Sequence, residues 1–473
     1  MTCFRKQVYK SCFGFSSSRI SQLSLLSSRL LPIVRHWKSA AYPPRPRAAS
    51  YSAKIDPNEE QGCHYEYNWI DGAESLHRYS PGGYHPIMIG DVLRERYHIV
   101  DKLGFGGYST VWLARDTCLH RYVAIKVGIA DAPLHETSIL RALASPGHDS
   151  IPIPLDEFKL HGPNGTHLCY TMIPAQCNLR DASFSRLFPL EVTRALSAGL
   201  TLAVAYIHSR SYVHGDIHLG NILAKFPSDF DHLSVTQLYK EYGEPETVSI
   251  TESNGKQLPP NIPSKAVIPL YLGKYAEDFS LSDTSILLSD FGEAFNPNLE
   301  VRCGKDCHTP LAMRPPEARF EPDAPLSYSA DIWSLAFAIW EIIGMQPIFS
   351  TAFVTADELV SQHIDVLGPL PSSWWMRWQE RNQFFDGDGH PKEGRYVWPG
   401  IELAFEECVQ KFRRKRGSDL DRDEATAIID LMRRMLVFRP EERPTVQEVL
   451  QSDWMVKWAL PELRRSSYSK QIS

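Results

Sequence analysis

Asp216 and Asn221 stand five residues apart in the run HGDIHLGNIL, and a second carboxylate, Asp290, directly follows the apolar run ILLS. A carboxylate that can receive a hydroxyl proton, beside an amide oxygen and another carboxylate, is what phosphoryl transfer asks for, because hard divalent cations such as Mg²⁺ take oxygen ligands. A cation belongs to the same chemistry. Lys126 lies in VAIKV among apolar neighbours, where an unpaired ammonium is costly, so a carboxylate partner is expected. Glu136 in PLHETSILRAL is the nearby acid followed by a helical apolar pattern, although ten residues is a short separation for such a pair. Twenty residues before Lys126, LGFGGYSTVWLA carries Gly104, Gly106 and Gly107 in a turn between two strand-like runs. Glycines there let backbone amides approach phosphate oxygens with no Cβ in the way. Each motif alone has a plain structural reading: a glycine corner, a loop cap, a satisfied lysine. Their joint order carries the argument.

The elements that must position these groups are legible as periodicity. Short β-rich runs (YHIVDKL, STVWLA, YVAIKV, HLCYTM) begin at Tyr97, and helical patterns cover Leu190 to Ser209 and Ser329 to Ile343. A β-rich lobe over about 97–174 and an α-helical lobe over about 175–460 are predicted, an α+β chain of two lobes. The polar stretch at about 226–283, rich in Pro, Asn-Gly and Ser, reads as an irregular insertion and not a third domain. Residues 461–473 form a C-terminal tail and 56–96 an approach segment.

Composition bounds the rest. Of 473 residues, 43% are apolar and 22% charged, and no run of eighteen apolar residues occurs, so a soluble globular protein without a membrane span is expected. Nine cysteines at irregular spacings, with no CxxC pair, argue against a zinc ribbon or a disulfide framework and for reduced intracellular thiols. Cys303, Cys307 and His308 cluster in CGKDCH, but as ordinary loop residues. The net charge of −6 hides a basic, acid-free segment at 1–55 with ten Lys and Arg, leaving 40 basic against 56 acidic residues elsewhere. That segment is transit-peptide-like in composition, and a disordered basic tail is equally compatible. Mitochondrial and cytoplasmic or nuclear residence both stay open.

Order and spacing together resemble the eukaryotic protein kinase fold over Tyr97 to Trp454. HGDIHLGNIL by itself also resembles small-molecule phosphotransferases of the aminoglycoside and choline kinase type, but those lack the later motifs. MRPPE places Glu317 where the family has the Glu of its APE segment. SADIWSLAFAIWEIIG places Asp331 at the family's catalytic-loop anchor, and RMLVFRPEERPTVQEVL offers Arg443 as the partner of Glu317. The resemblance implies that ATP and Mg²⁺ are used. It implies an ATP site formed by Leu103, Gly104, Gly106, Gly107, Val111, Ala124, Lys126, Glu136 and Asp290, with Asn221 and Asp290 as metal ligands. Catalysis falls to Asp216, Lys126, Asn221 and His218. Thr309, eight residues before Glu317, implies serine/threonine specificity.

Within that family, DEFKLHGPNGTHLCY, GGYHPIMIGD and LGFGGYSTVWLARD, with Ser109 at the third-glycine position, resemble the SR-protein kinases, and a fungal branch in particular. These phosphorylate serines in Arg/Ser-rich proteins and carry an insertion between the catalytic loop and DFG; here Asn221 and Asp290 are 69 positions apart. Protein substrates, no direct nucleic-acid binding and a monomer follow as expectations. A pseudokinase scaffold is disfavoured by the presence of all four catalytic-type residues. Two departures stand out. Gly215 replaces the catalytic-loop Arg that elsewhere receives an activation-loop phosphate, and 293–314 contain no Ser or Tyr, so an enzyme active as made is expected. His218 replaces a Lys, so lowered turnover that improves as the imidazole protonates is expected, as is a His218→Lys variant at least as active as the parent. The acids Asp386, Asp388, Glu393, Glu402, Glu406 and Glu407 face the basic run KFRRKR at 411–416, and charge on a solvated helix face explains them without a docking role.

Overall fold

A computed structural model describes residues 67–132, 135–227, 230–253, 255–351 and 354–472. The basic segment at 1–55, and the first part of the approach segment, lie outside the described residues.

The β-rich runs become one antiparallel sheet. Its strands are β1 (Val92–Leu93), β2 (Tyr97–Gly106), β3 (Ser109–Asp116), β4 (Arg121–Ala130), β5 (Asp156–Gly162) and β6 (Gly165–Met172), in the order β1-β2-β3-β4-β6-β5. The alternation of strand side chains puts Ile99, Trp112, Ala114, Val123 and Ile125 into a buried cluster on one face. Between β4 and β5, α1 (His135–Leu143) buries Ile139, Leu140 and Leu143.

A second, three-stranded sheet joins the lobes: β7 (Ala175–Asn178), β8 (Ile222–Lys225) and β11 (Ile286–Leu288), ordered β11-β8-β7. This small sheet matters to function because β8 follows the catalytic-type loop and β11 delivers Asp290. Helix α2 (Leu179–Ser183) is started by Asn178, whose side chain accepts from the Asp181 amide. Helix α3 (Leu190–Ser209) has the predicted bounds and is buried along most of its length. By length and composition it is the one described helix able to cross a membrane, but 72% of its apolar window is covered by the fold.

The insertion differs from the irregular segment expected. It holds α4 (Val235–Tyr242), with a Ser234/Gln237 capping box and Gly243 at φ 99 closing its end, and a hairpin of β9 (Thr247–Ser249) and β10 (Lys265–Val267). Its polar sequence hid the order because the apolar residues are sparse and find partners far away. Phe230, Leu238, Leu270 and Leu272 pack with Val100, Leu113 and Tyr122 of the sheet, while Ile250, Ile262 and Ala266 pack with Ile70, Leu76 and Tyr84 of the approach segment. Approach segment and insertion therefore share one apolar cluster.

The helical lobe centres on α5 (Tyr328–Ile343), buried almost all round as its composition demands. After it come α6 (Ala356–Leu367) and α7 (Arg422–Met435), and the tail is helical, as α8 (Leu460–Ile472) against α3. Burying each large aliphatic side chain contributes roughly 1.5–3 kcal/mol, so this single continuous core fixes the floor on which the site rests.

Candidate active site

Lys126 projects from β4 into the space between the lobes. Its Nζ lies 2.7 Å from Glu136 Oε1 and 2.9 Å from Asp290 Oδ1. Burial by itself would weaken the ammonium, but Asp290 and Glu136 outweigh it and raise the Lys126 pKa well above its ordinary value. In return the Lys126 ammonium holds the Asp290 carboxyl below the usual carboxylate range. The short ten-residue separation from Glu136 is accommodated because α1 starts almost at the end of β4. Glu136 Oε1 also accepts from Tyr170 Oη at 2.9 Å and from the Phe291 amide at 3.2 Å, and His135 Nε2 sits 2.6 Å from the Ala294 carbonyl. One carboxylate oxygen thus ties a strand lysine, α1 and the backbone after Asp290 together. Asp290 itself adopts φ 64, a left-handed conformation that costs a non-glycine residue about 1–2 kcal/mol and that tertiary bonds must hold.

The loop before β8 is fastened from below. Asp331, on α5, accepts from the His214 amide at 2.7 Å, the Gly215 amide at 2.9 Å and His208 Nε2 at 2.9 Å. His214 is buried, which lowers its pKa, and its neutral ring spans the site: Nδ1 accepts from the Asp216 amide at 3.2 Å and Nε2 faces the Ser289 carbonyl at 3.1 Å. Asn221 Nδ2 donates to the Asp216 carbonyl at 2.9 Å and to Asp216 Oδ2 at 3.0 Å, which leaves the Asn221 amide oxygen as its ligand atom. Asp216 Oδ1 is covered and has no hydrogen-bond partner among the described residues. His218 Nε2 lies 3.5 Å from Asp216 Oδ2.

Gly215 is required where it stands. Its φ is 78, and a Cβ there would meet the Glu293 carbonyl oxygen at 2.8 Å. The space an arginine would fill belongs to Glu293, which receives Arg302 Nη1 at 2.9 Å and His308 Nδ1 at 3.0 Å on its carboxylate. Thr309 is buried and donates from Oγ1 to the Gly215 carbonyl at 2.6 Å. Cys303 and Cys307 are free thiols. Below, Arg443 clamps Glu317 through two bonds of 2.8 and 2.6 Å in a buried site and lies 5.0 Å over the Trp333 ring.

At the glycine turn, Gly106 pairs with Ser109 across the hairpin, and Val111 pairs with both Gly104 and Lys126. Among the described residues, the flanking ones aside, no atom comes within 4 Å of where a Cβ would sit on Gly104 or Gly106, and neither has positive φ. The fold itself has no need of glycine there, which fits a backbone kept bare for a ligand. Leu103 and Val111 pack against the main core from the edge, with Ala124 inside it. Tyr84 of the approach segment donates from Oη to the Gly106 carbonyl at 2.6 Å.

Sequence reasoning missed Tyr170, Tyr84, Glu293 and Arg180. The last donates from Nη2 to His218 Nδ1 at 2.8 Å, and nothing local in NLRD signals it. The acids considered for docking divide: Glu402, Glu406 and Glu407 pair with Arg433, Arg414 and Lys411, whereas Asp386, Asp388 and Glu393 are exposed, the first two grouped with His390.

A glycine turn over a Lys–Glu–Asp triangle, an Asp–Asn loop anchored by a buried Asp, and a Glu–Arg clamp beneath together define a protein kinase. Residues 279–455 match the protein kinase domain family model, and a solved kinase-domain crystal structure aligns with a TM-score of 0.53 over 79% of this chain and 98% of its own, at 15% identity, which speaks for the fold. A serine/threonine protein kinase of Aspergillus fumigatus is 26% identical, covering 81% of this chain and 90% of the relative. The SRPK serine/threonine kinase of Physarum polycephalum is 24% identical over 81% and 91%, and human SRSF protein kinase 3 is 32% identical over 31% and 28%. These matches and the geometry of the site make the chain a serine/threonine protein kinase that is similar to the SR-protein kinases.

Proposed function

We propose that this kinase transfers the γ-phosphate of MgATP to serine or threonine hydroxyls of Arg/Ser-rich or otherwise basic proteins, and that it does so without prior phosphorylation. The observation that carries the reading is the Lys126–Glu136–Asp290 triangle together with the Asp216–Asn221 loop that Asp331 anchors. In this reading the amides of the glycine turn and Lys126 hold phosphate oxygens, and Leu103, Val111 and Ala124 form the apolar wall. Asn221 and Asp290 supply oxygens for Mg²⁺, which when bound neutralises charge on the phosphates. The Asp216 carboxylate receives the proton as the substrate O–H bond breaks, the new O–P bond forms and ADP leaves. Thr309, hydrogen-bonded to the Gly215 carbonyl, holds the substrate side of that loop.

Activity without a switch is supported by Glu293. Glu293 lies against Gly215 through its carbonyl and Cβ, and its carboxylate is paired with Arg302, so the activation segment is cross-linked by built-in charge. The substrate class rests on the named relatives. The test is transfer of γ-phosphate from MgATP to an Arg/Ser peptide by protein shown by mass to be unphosphorylated, beside an Asp216→Asn control. No transfer above that control refutes the reading, and transfer to a free alcohol but to no peptide would replace it with a small-molecule phosphotransferase.

A further inference from the structure

His218 stands where a catalytic-loop lysine is the family's habit, and a neutral imidazole is a weak substitute for an ammonium. The structure shows what surrounds it. Arg180, on α2, donates from Nη2 to His218 Nδ1 at 2.8 Å, and the Gly220 amide donates to the same nitrogen at 3.1 Å. Neither donor can reverse its role, since a guanidinium and a backbone amide have no lone pair to offer. Nδ1 is therefore the acceptor, the ring proton is on Nε2, and Nε2 is the atom 3.5 Å from Asp216 Oδ2.

The space for this arrangement is shaped for it. A Cβ on Gly220 would meet Arg180 Nη2 at 2.7 Å and His218 Cε1 at 3.0 Å, although Gly220 has no positive φ that would demand glycine. Arg180 is half-buried, and its helix is fixed by the fully buried Leu179 and by the Asn178 cap. Glu341 of α5 lies near enough to feel the guanidinium: burial pushes its carboxyl up to about 7, and Arg180 opposes that rise.

We propose that Arg180 is the positioning cation of this kinase: it fixes His218 with Nε2–H toward Asp216 and brings to the catalytic loop the positive charge that the loop itself lacks. The proposal rests on the kinase reading above. The cation is displaced one residue outward and acts through an oriented imidazole, so charge and direction come from two side chains on different elements. A guanidinium that cannot lose its proton keeps the ring in one tautomer through the catalytic cycle.

The arrangement makes a distinctive demand on variants. Arg180→Met removes the charge and the shorter of the two bonds on Nδ1, so kcat falls about tenfold while KM for ATP stays within about twofold and the melting temperature holds. His218→Lys in the parent sets an ammonium against the Arg180 guanidinium and lowers kcat, whereas Arg180→Met/His218→Lys returns kcat toward the parent, because one direct cation replaces the pair. Gly220→Ala, which crowds the guanidinium, mimics Arg180→Met. Independently of turnover, ¹⁵N spectra of histidine-labelled protein show His218 in the Nε2–H form in the parent and a raised share of the Nδ1–H form in Arg180→Met, where the weaker Gly220 amide is the donor left on Nδ1. An Arg180→Met enzyme with parental kcat, a double variant no better than its worse single, or an unchanged His218 tautomer overturns the proposal. An inactive parent instead refutes the kinase reading, which the first assay of the series reveals.

Discussion

Gly215 offers the sharpest test, because substituting the arginine common in the family looks like a repair and the structure makes it damage. Gly215→Arg must hold a side chain at φ 78 with its Cβ 2.8 Å from the Glu293 carbonyl oxygen. Left-handed backbone costs a non-glycine residue about 1–2 kcal/mol, and moving away from Glu293 sacrifices the 2.6 Å bond from Thr309 to the Gly215 carbonyl, worth about 0.5–1.5 kcal/mol. The total is about 1.5–3.5 kcal/mol, and at roughly 2–4 °C of melting point per kcal/mol for a large domain a drop of about 3–14 °C is expected. Activity falls with it, because Thr309 and Gly215 hold the loop that presents Asp216. Differential scanning calorimetry and peptide phosphorylation on the purified variant measure both. A variant that melts within 1 °C of the parent and phosphorylates as fast refutes the claim that Glu293 has taken the arginine's place.

Other expectations follow from the same geometry. Glu317→Ala strands Arg443 in a buried site and destabilises the protein by about 3–5 kcal/mol, measurable by urea denaturation. Burial by itself would raise the Asp331 carboxyl, but the hydrogen bond and charge of His208 and the loop amides hold it below its ordinary value. A depressed carboxyl contributes stability fully above the unfolded value of about 3.9 and loses it as pH falls through the folded value, so the stability difference between parent and Asp331→Asn shrinks steadily as pH is lowered from about 5 to 3. Glu136→Gln keeps the shape of α1 but removes the charge that orients Lys126, so kcat/KM for ATP falls about tenfold or more; an unchanged value would separate the triangle from catalysis. Thr309→Glu does not raise activity, and phosphatase treatment leaves the enzyme active; gain or loss in either assay would show an activation-loop switch.

His218→Lys changed meaning between sequence and structure. With the loop taken alone, the lysine restores a missing charge and the variant is at least as active as the parent. With Arg180 2.8 Å from the ring, the same substitution opposes two cations.

The chain's local order determined a great deal. Strand periodicity placed Lys126 on β4, the apolar run ILL made β11 and so set Asp290 at its end, and the all-round apolar helix α5 required Asp331 to be buried with partners. These assignments were readable because each depends on neighbours within a few residues, through alternation, helical spacing or a turn. Tertiary structure decided what depends on groups distant in sequence. The insertion's sparse apolar residues became ordered only by meeting the sheet and the approach segment, Glu293 came to fill the ground beside Gly215, and Arg180 reached His218 across 38 positions. A hydrogen bond between elements leaves no periodic trace in either one, so a phosphotransferase loop can be recognised from its own ten residues and assigned by the motifs that follow it, while the charge that completes it is found only in the folded chain.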